Sequence, residues 1–168
     1  NFIHNLRTQY LPGIAPVAPT HVLIPLQREL AKTRSFQTIS PLAMVEAVAR
    51  TGKTCIATLH PNGDYTAEEL RALDQLAARY PNLSIGGNSR ELLAGAEYVA
   101  TQNSAVAMDA YLLTRPVVLF AQIDFHHIAL NVADMGVEQA QNAAPDHKTH
   151  NAKYLYWMLR EQAIDAMA

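Results

Sequence analysis

Cysteine is nearly absent from this sequence, because Cys55 is the single one among 168 residues. One thiol cannot form an internal disulfide, and it cannot build a zinc site that needs several cysteines. Since structural disulfides belong mainly to oxidising compartments, this content fits a reducing one. Long hydrophobic runs are absent as well. A segment such as residues 116–121 falls well short of the roughly 20 apolar residues that a membrane span needs.

Charge of either sign is sparse and almost balanced. Lys and Arg total 13 against 15 Asp and Glu, which gives a formal net charge of -2. A chain with this balance does not bind nucleic acid or an anionic membrane through bulk charge. The first residues also lack the basic and apolar regions of a signal peptide. We expect a cytoplasmic protein with no membrane span and no nucleic-acid partner, associated at most peripherally with the inner face of a membrane.

Three common site motifs are missing. No G-x-G-x-x-G follows the first apolar segment, so the fingerprint of a nicotinamide or flavin site is absent. Residues 86–89, Gly-Gly-Asn-Ser, lack the lysine of a P-loop, and Ser104 does not stand in a G-x-S-x-G turn. The adjacent His126 and His127 have no third ligand at a suitable spacing, so we expect no metal site.

Short apolar segments alternate with helix-like segments along most of the chain. The apolar segments are residues 21–26, 54–59, 83–85, 98–101 and 116–121. They are apolar at successive positions, which is typical of strands in a parallel sheet that is covered on both faces. The chain is therefore predicted to be an α/β protein, a Rossmann-like parallel sheet of about five strands with helices on both faces.

Helix boundaries and a possible linker are also marked in the sequence. Ser40 followed by proline predicts a helix start, and Thr66 with Glu69 three residues later matches a capping box. Residues 1–19 contain three prolines and a glycine, so we expect an irregular linker there that leads into one domain of residues 20–168. Residues 122–146 show little regularity, and residues 147–168 are predicted to be helical.

Mainly polar residues follow each of the first four predicted strands. They are Gln27, then His60 and Pro61, then Asn88 and Ser89, then Asn103 and Ser104. In open α/β sheets, ligands bind beyond the carboxyl ends of the strands, so these are the candidate binding residues. The edge has many hydrogen-bond donors and few acids, and helix N-termini there carry unpaired N–H groups. This composition favours the binding of a phosphorylated ligand over a site for metal-assisted hydrolysis.

Several short motifs occur in a fixed order. They are VLIPLQ at 22–27, SPLAMVE at 40–46, HP at 60–61, AEYVATQNSAV at 96–106 and DAYLLTRPVV at 109–118. In this order they resemble the C-terminal half of the capsule polysaccharide biosynthesis family. These are GT-B glycosyltransferases similar to the Kdo (3-deoxy-manno-octulosonate) transferases. The resemblance covers roughly residues 20–121 and implies that this chain is the donor-binding half of a GT-B fold.

The resemblance also implies an activity and a set of site residues. The enzyme would transfer a sugar, such as Kdo, from a nucleotide-activated donor to a surface polysaccharide or a lipid-linked glycan. His60, Pro61 and Ser104, with Asn103 beside it, would contact the phosphate and nucleotide of the donor, and Gln27 would lie near it. A CMP-sugar is favoured over a UDP-sugar, and neither a cofactor nor a metal is required. The acceptor-side catalytic base is expected outside this chain, in an N-terminal domain.

Two other functions fit the same residues. One is a non-catalytic Rossmann-like interaction module with a partner surface within residues 122–168. This alternative is suggested by Thr58, which stands where the resembled family often has a lysine. The other is a GT-B relative that uses a UDP-sugar, such as an epimerase. Nucleotide binding separates the three, because the module would bind no nucleotide and the other two would differ in their preference for CMP or UDP.

Overall fold

The computed structural model describes residues 2–162 of the chain. Its helices are α1 (Phe2–Tyr10), α2 (Pro41–Ala49), α3 (Ala67–Arg79), α4 (Ser89–Leu93), α5 (Val106–Leu112), α6 (Val132–Met135), α7 (Val137–Ala143) and α8 (Asn151–Tyr156). Its strands are β1 (His21–Pro25), β2 (Cys55–Thr58), β3 (Leu83–Ile85), β4 (Ala96–Thr101), β5 (Val117–Leu119) and β6 (Leu130–Asn131). A 3-10 turn, Ala144–Asp146, follows α7, and a π-helical segment, Trp157–Gln162, continues α8.

The strands of residues 2–162 form one sheet in the order β3-β2-β1-β4-β5-β6, and every neighbouring pair is parallel. This confirms the predicted α/β class and its parallel sheet. The sixth strand, β6, has two residues and lies at one edge. The direction in which strands are added reverses between β1 and β4. In doubly wound sheets, a crevice opens at such a reversal, beyond the carboxyl ends of the strands.

Successive residues of β1 are buried on opposite faces of the sheet. Val22 and Ile24 belong to a core cluster that includes Leu73 of α3, whereas Leu23 belongs to a second cluster that includes Tyr111 of α5. All five side chains are at most 2% exposed. Helices therefore cover both faces, as predicted, and this is why the strands are apolar at successive positions rather than at alternate ones.

Local signals in the sequence set two helix starts. The Ser40 hydroxyl accepts a hydrogen bond from the Ala43 backbone N–H at 3.2 Å, and Pro41 occupies the first turn of α2. Thr66 and Glu69 form the reciprocal bonds of a capping box at the start of α3. Both predicted starts are confirmed, because capping bonds are local and do not depend on the rest of the fold.

The irregular conformation predicted for residues 1–19 is wrong for its first half. Phe2–Tyr10 form α1, and Leu11, which follows it, is 2% exposed. Ile3 and Leu6 pack against the second core cluster, and this packing holds a helix that the nearby prolines do not reach. The division into a linker of residues 1–19 and a domain of residues 20–168 stays a prediction.

Residues 122–146 are more regular than predicted, since they contain β6, α6 and α7. Asn131, the last residue of β6, links the segment after β5 to α6: its Nδ2 donates to the Ala121 carbonyl at 3.0 Å, and its Oδ1 accepts from the Ala133 backbone N–H at 2.9 Å. The helix predicted over residues 147–168 begins at Asn151, and residues 163–168 of that prediction lie outside the described residues. No helix within residues 2–162 is long and apolar enough to cross a membrane.

Candidate functional site

A cavity of about 630 Å³ opens at the carboxyl edge of the sheet, on segments that follow β1, β2, β3 and β4. Six of the seven predicted binding residues line it, namely Gln27, His60, Pro61, Asn88, Ser89 and Ser104. The structure brings these residues together because parallel strands end at the same edge of a sheet. That they bind a ligand stays a prediction.

Gln27 and Asn103 meet where the strand order reverses. Nε2 of Gln27 donates to the Asn103 carbonyl oxygen at 3.3 Å, so the segment after β1 is linked to the loop after β4. Asn103 is the predicted binding residue that does not line the cavity. Its Oδ1 is buried and has no hydrogen-bond partner among the described residues. The role of Asn103 in the structure is thus to hold Gln27 through its backbone.

His60 follows β2 and is exposed at the cavity. Its Nδ1 accepts a hydrogen bond from the Asn62 backbone N–H at 3.1 Å, and its own backbone N–H donates to the Tyr65 hydroxyl at 2.8 Å. Because Nδ1 acts as an acceptor, the neutral ring carries its proton on Nε2. The turn around His60 therefore fixes the tautomer in which Nε2 can donate to an anion.

Ser104 is buried at the start of α5, where its hydroxyl accepts from the Val106 backbone N–H at 3.3 Å. Ser104 precedes Ala105, the N-cap residue of α5. The helices on this side of the cavity are short, five residues in α4 and seven in α5. Their peptide dipoles sum to less than those of a long helix, so side chains must supply much of any attraction for an anion.

Asn88 and Ser89 mainly hold the turn between β3 and α4. The Asn88 Oδ1 accepts from the backbone N–H groups of Arg90 at 2.9 Å and Glu91 at 3.5 Å, which caps α4. The Ser89 hydroxyl lies 2.6 Å from the hydroxyl of Thr58, at the end of β2. Both side chains line the cavity, but both already have hydrogen-bond partners in the protein.

The same turn requires glycine at position 87. Gly87 has φ +86°, in the left-handed region that favours glycine. A Cβ built there would lie 2.8 Å from Cδ1 of Leu92, a contact closer than normal packing allows. The glycine therefore lets the chain turn sharply and places Asn88, Ser89 and Arg90 at the cavity.

Arg90 and Asp109 also line the cavity, and neither was predicted as a site residue. Nε of Arg90 lies 3.2 Å from Oδ2 of Asp109; the arginine side chain is 58% exposed and the aspartate 13%. Burial raises the pKa of Asp109, and the adjacent guanidinium partly opposes that rise. The two residues come from α4 and α5, so their meeting depends on helix packing. In the sequence, the signal that could have identified Arg90 as a site residue is its position directly after the predicted binding residue Ser89.

His126 and His127 stack on each other with ring centroids 4.5 Å apart. His127 also packs edge-on against Trp157, with centroids 5.2 Å apart. Within the part of the chain that the structure describes, no group of three or more His, Cys, Asp or Glu side chains could hold a metal ion. The pair lies outside the cavity, in an aromatic contact with the first residue of the π-helical segment.

Comparisons with known proteins add a similarity of fold. No protein-family profile matches the chain, and no curated protein matches it. Solved structures of the wall teichoic acid polymerase TagF are similar. One, a variant soaked with CDPG, has 13% sequence identity and a TM-score of 0.47, over 92% of this chain and 39% of that chain. Another TagF structure has 12% identity and a TM-score of 0.43, over 92% of this chain and 42% of that one. This chain thus spans about two fifths of the TagF chains that it matches.

Proposed function

We propose that this chain is the donor-binding half of a GT-B glycosyltransferase that transfers a sugar from a nucleotide-activated donor. The observation that carries the proposal is the cavity of about 630 Å³ at the reversal of the strand order. His60, Pro61 and Ser104, the motif residues expected to contact the donor, all line that cavity, and Asn103 beside them does not. The order of short motifs along residues 22–118 supports the family assignment.

The chemistry of such a transfer suits the side chains in the cavity. Glycosyl transfer from a nucleotide sugar needs a fixed donor and stabilisation of the negative charge that develops on the departing phosphate. The Nε2–H of His60 and the hydroxyl of Ser104 are hydrogen-bond donors that can meet that charge. Both are held by backbone contacts to the segments that follow β2 and β4. The base that activates the acceptor belongs, in this proposal, to a domain outside this chain.

The donor in this proposal is a CMP-sugar such as CMP-Kdo, and the acceptor is a surface polysaccharide or a glycolipid. The motif order is the basis for CMP, and a UDP-sugar is the alternative. The reaction would take place in the cytoplasm, at the inner face of the membrane where such acceptors are assembled. No cofactor besides the nucleotide sugar enters the proposal.

Calorimetric titration of the 168-residue chain with CMP, and then with UDP at equal concentration, tests the proposal. We expect saturable binding of CMP, weaker binding of UDP, and a loss of CMP affinity of about tenfold in His60→Ala and in Ser104→Ala. His150→Ala and Ser35→Ala are matched controls, because both residues are exposed and lie outside the cavity. Thermal melts of all four variants check that the domain remains folded.

Each outcome of the titration has a definite meaning. A preference for UDP would point to the UDP-sugar relative and overturn the CMP donor. Binding of neither nucleotide, also by a longer gene product that contains any preceding domain, would overturn the transferase and favour an interaction module. CMP binding that is unchanged in both cavity variants would place the nucleotide elsewhere on the protein.

A further inference from the structure

Arg90 is the one Lys or Arg among the described residues that line the cavity, and Asp109 is the one carboxylate there. From this pair we propose that Arg90 binds the phosphate group of the ligand and that Asp109 is a positioning residue for Arg90. The inference rests on the proposed function, since it names the cation of the same nucleotide-sugar site. It adds a residue that is not among the predicted binding residues and belongs to none of the motifs.

The contact with Asp109 leaves the outer edge of the Arg90 guanidinium available. Asp109 Oδ2 is 3.2 Å from Nε of Arg90, so the carboxylate occupies the inner side of the planar group. Nη1 and Nη2 make no hydrogen bond to another residue within residues 2–162. These two nitrogens form the planar fork that binds two phosphate oxygens at once.

Hydrogen bonds also hold the backbone around Arg90. The preceding residue, Ser89, is linked to buried Thr58 through hydroxyls 2.6 Å apart, and the Arg90 backbone N–H donates to Asn88. The arginine is therefore fixed at its base by the end of β2 and at its Nε by α5. A side chain ordered in this way loses less conformational entropy when it binds an anion.

The other nearby arginine has a different partner. Arg28 donates from Nη2 to the Asn62 carbonyl at 3.3 Å, and it does not line the cavity. His60, which does line it, offers one Nε2–H in its neutral form. A phosphate in the cavity would therefore depend on Arg90 for a permanent positive charge, and on His60 and Ser104 for further hydrogen bonds.

The test compares ligands with and without phosphate. CMP, cytidine and inorganic pyrophosphate are titrated into wild-type protein and into Arg90→Gln. We expect Arg90→Gln to lower the affinity for CMP and for pyrophosphate about 10- to 100-fold, because the phosphate contact is removed. The affinity for cytidine, which has no phosphate, should stay within about twofold of wild type. Arg71→Gln, an exposed arginine on α3 outside the cavity, is the matched control and should bind all three ligands as wild type does.

Asp109 is tested by rescue with a conservative variant. Asp109→Asn retains an oxygen that can accept from Nε of Arg90. This variant should therefore bind CMP more tightly than cytidine by the same factor as wild type does. Asp109→Ala removes the acceptor and should lose most of that gain while binding cytidine normally. A merely structural role would lower the affinity for CMP and cytidine together in Asp109→Ala.

The outcomes separate this inference from the proposed function. Unchanged CMP and pyrophosphate affinity in Arg90→Gln, or an equal fall in cytidine affinity, overturns the role of Arg90 while the nucleotide site stands. Pyrophosphate binding that depends on Arg90, without any added affinity from the nucleoside, supports Arg90 and overturns the nucleotide-sugar function. If wild type binds neither CMP nor pyrophosphate, both are overturned.

Discussion

The hydroxyl of Thr58 lies 2.6 Å from the hydroxyl of Ser89, so the last residue of β2 is bonded to the first residue of α4. Thr58 is 1% exposed and does not line the cavity. Its side chain therefore acts within the protein, as an anchor for the turn that carries Arg90. Removing this bond should affect both the stability of the domain and the affinity of the cavity.

Thr58→Val tests that anchor, because valine fills a similar volume and lacks the hydroxyl. We expect the free energy of unfolding to fall by about 1 kcal/mol, the typical net value of one hydrogen bond, and CMP affinity to fall by about threefold as Arg90 becomes less ordered. Chemical denaturation and calorimetric titration measure the two effects. Thr33→Val, at an exposed position, should change neither. An unaltered unfolding free energy in Thr58→Val would mean that the hydroxyl pair contributes nothing.

Leu11 tests whether the N-terminal residues are part of the folded domain. It is 2% exposed in the second core cluster, next to α1, so Leu11→Ala should create a cavity and lower the free energy of unfolding by about 3 kcal/mol. Tyr10→Ala is the adjacent control. Tyr10 is 48% exposed, so Tyr10→Ala should lower the free energy of unfolding by about 0.5 kcal/mol or less. Equal, small effects of both substitutions in urea denaturation would show that residues 1–19 behave as a linker.

The fold was largely predictable because its main signals are local or repeat along the chain. Continuous apolar segments indicate a doubly covered parallel sheet, and the caps at Ser40 and Thr66 mark helix starts. The strand β6 could not be predicted in this way, since two residues carry no periodic pattern. Helix α1 was missed because its stability comes from packing against the core, which the neighbouring prolines obscure in the sequence.

The cavity was predictable only in part, for a related reason. Residues such as Gln27 and His60 could be placed at one edge because parallel strands end there together. The contact between Arg90 and Asp109 could not be predicted, since it arises where α4 packs against α5 and no sequence spacing encodes it. The sequence also did not reveal that the hydroxyl of Ser89 is bonded to Thr58.

Glu69 joins the start of α3 to the segment after β1. Its Oε2 accepts from the Thr66 backbone N–H at 2.9 Å, and its Oε1 accepts from the Leu30 backbone N–H at 2.5 Å. These bonds hold the pKa of Glu69 below its ordinary value of 4.5, and the bond from Thr66 is the largest cause. The ionised carboxylate is therefore favoured in the folded state over the unfolded state.

Glu69→Gln should lower the free energy of unfolding by about 1 kcal/mol near neutral pH, because it removes the charge and one of the two acceptors. A carboxylate whose pKa is lowered on folding stabilises above its unfolded pKa, and that contribution is lost as the pH falls through the folded pKa. The difference between wild type and Glu69→Gln should thus shrink below pH 4.5, the ordinary value for this group. Denaturation across this range measures it. Glu68→Gln, exposed in the same helical turn, should stay close to wild type throughout.

His21 opens β1 and is 8% exposed, with its Nδ1 2.9 Å from the Thr20 hydroxyl. Burial lowers the pKa of His21 from its ordinary value of 6.5; the backbone of Leu92 partly opposes that shift, and the positive charge of Arg115 adds to it. As the pH falls below 6.5, the unfolded chain takes up a proton before the folded chain does. The contribution of His21 to stability is therefore full above that pH and decreases below it, toward the folded pKa.

Thermal unfolding of wild type between about pH 7.5 and 5.5 should show a falling Tm for this reason. His21→Asn removes the titrating ring, so its Tm should be lower at the upper end of the range and flatter across it. His150→Asn, at an exposed position, should keep the slope of wild type. A wild-type Tm that is constant over this range, or a slope that persists in His21→Asn, would mean that the protonation of another group controls stability here.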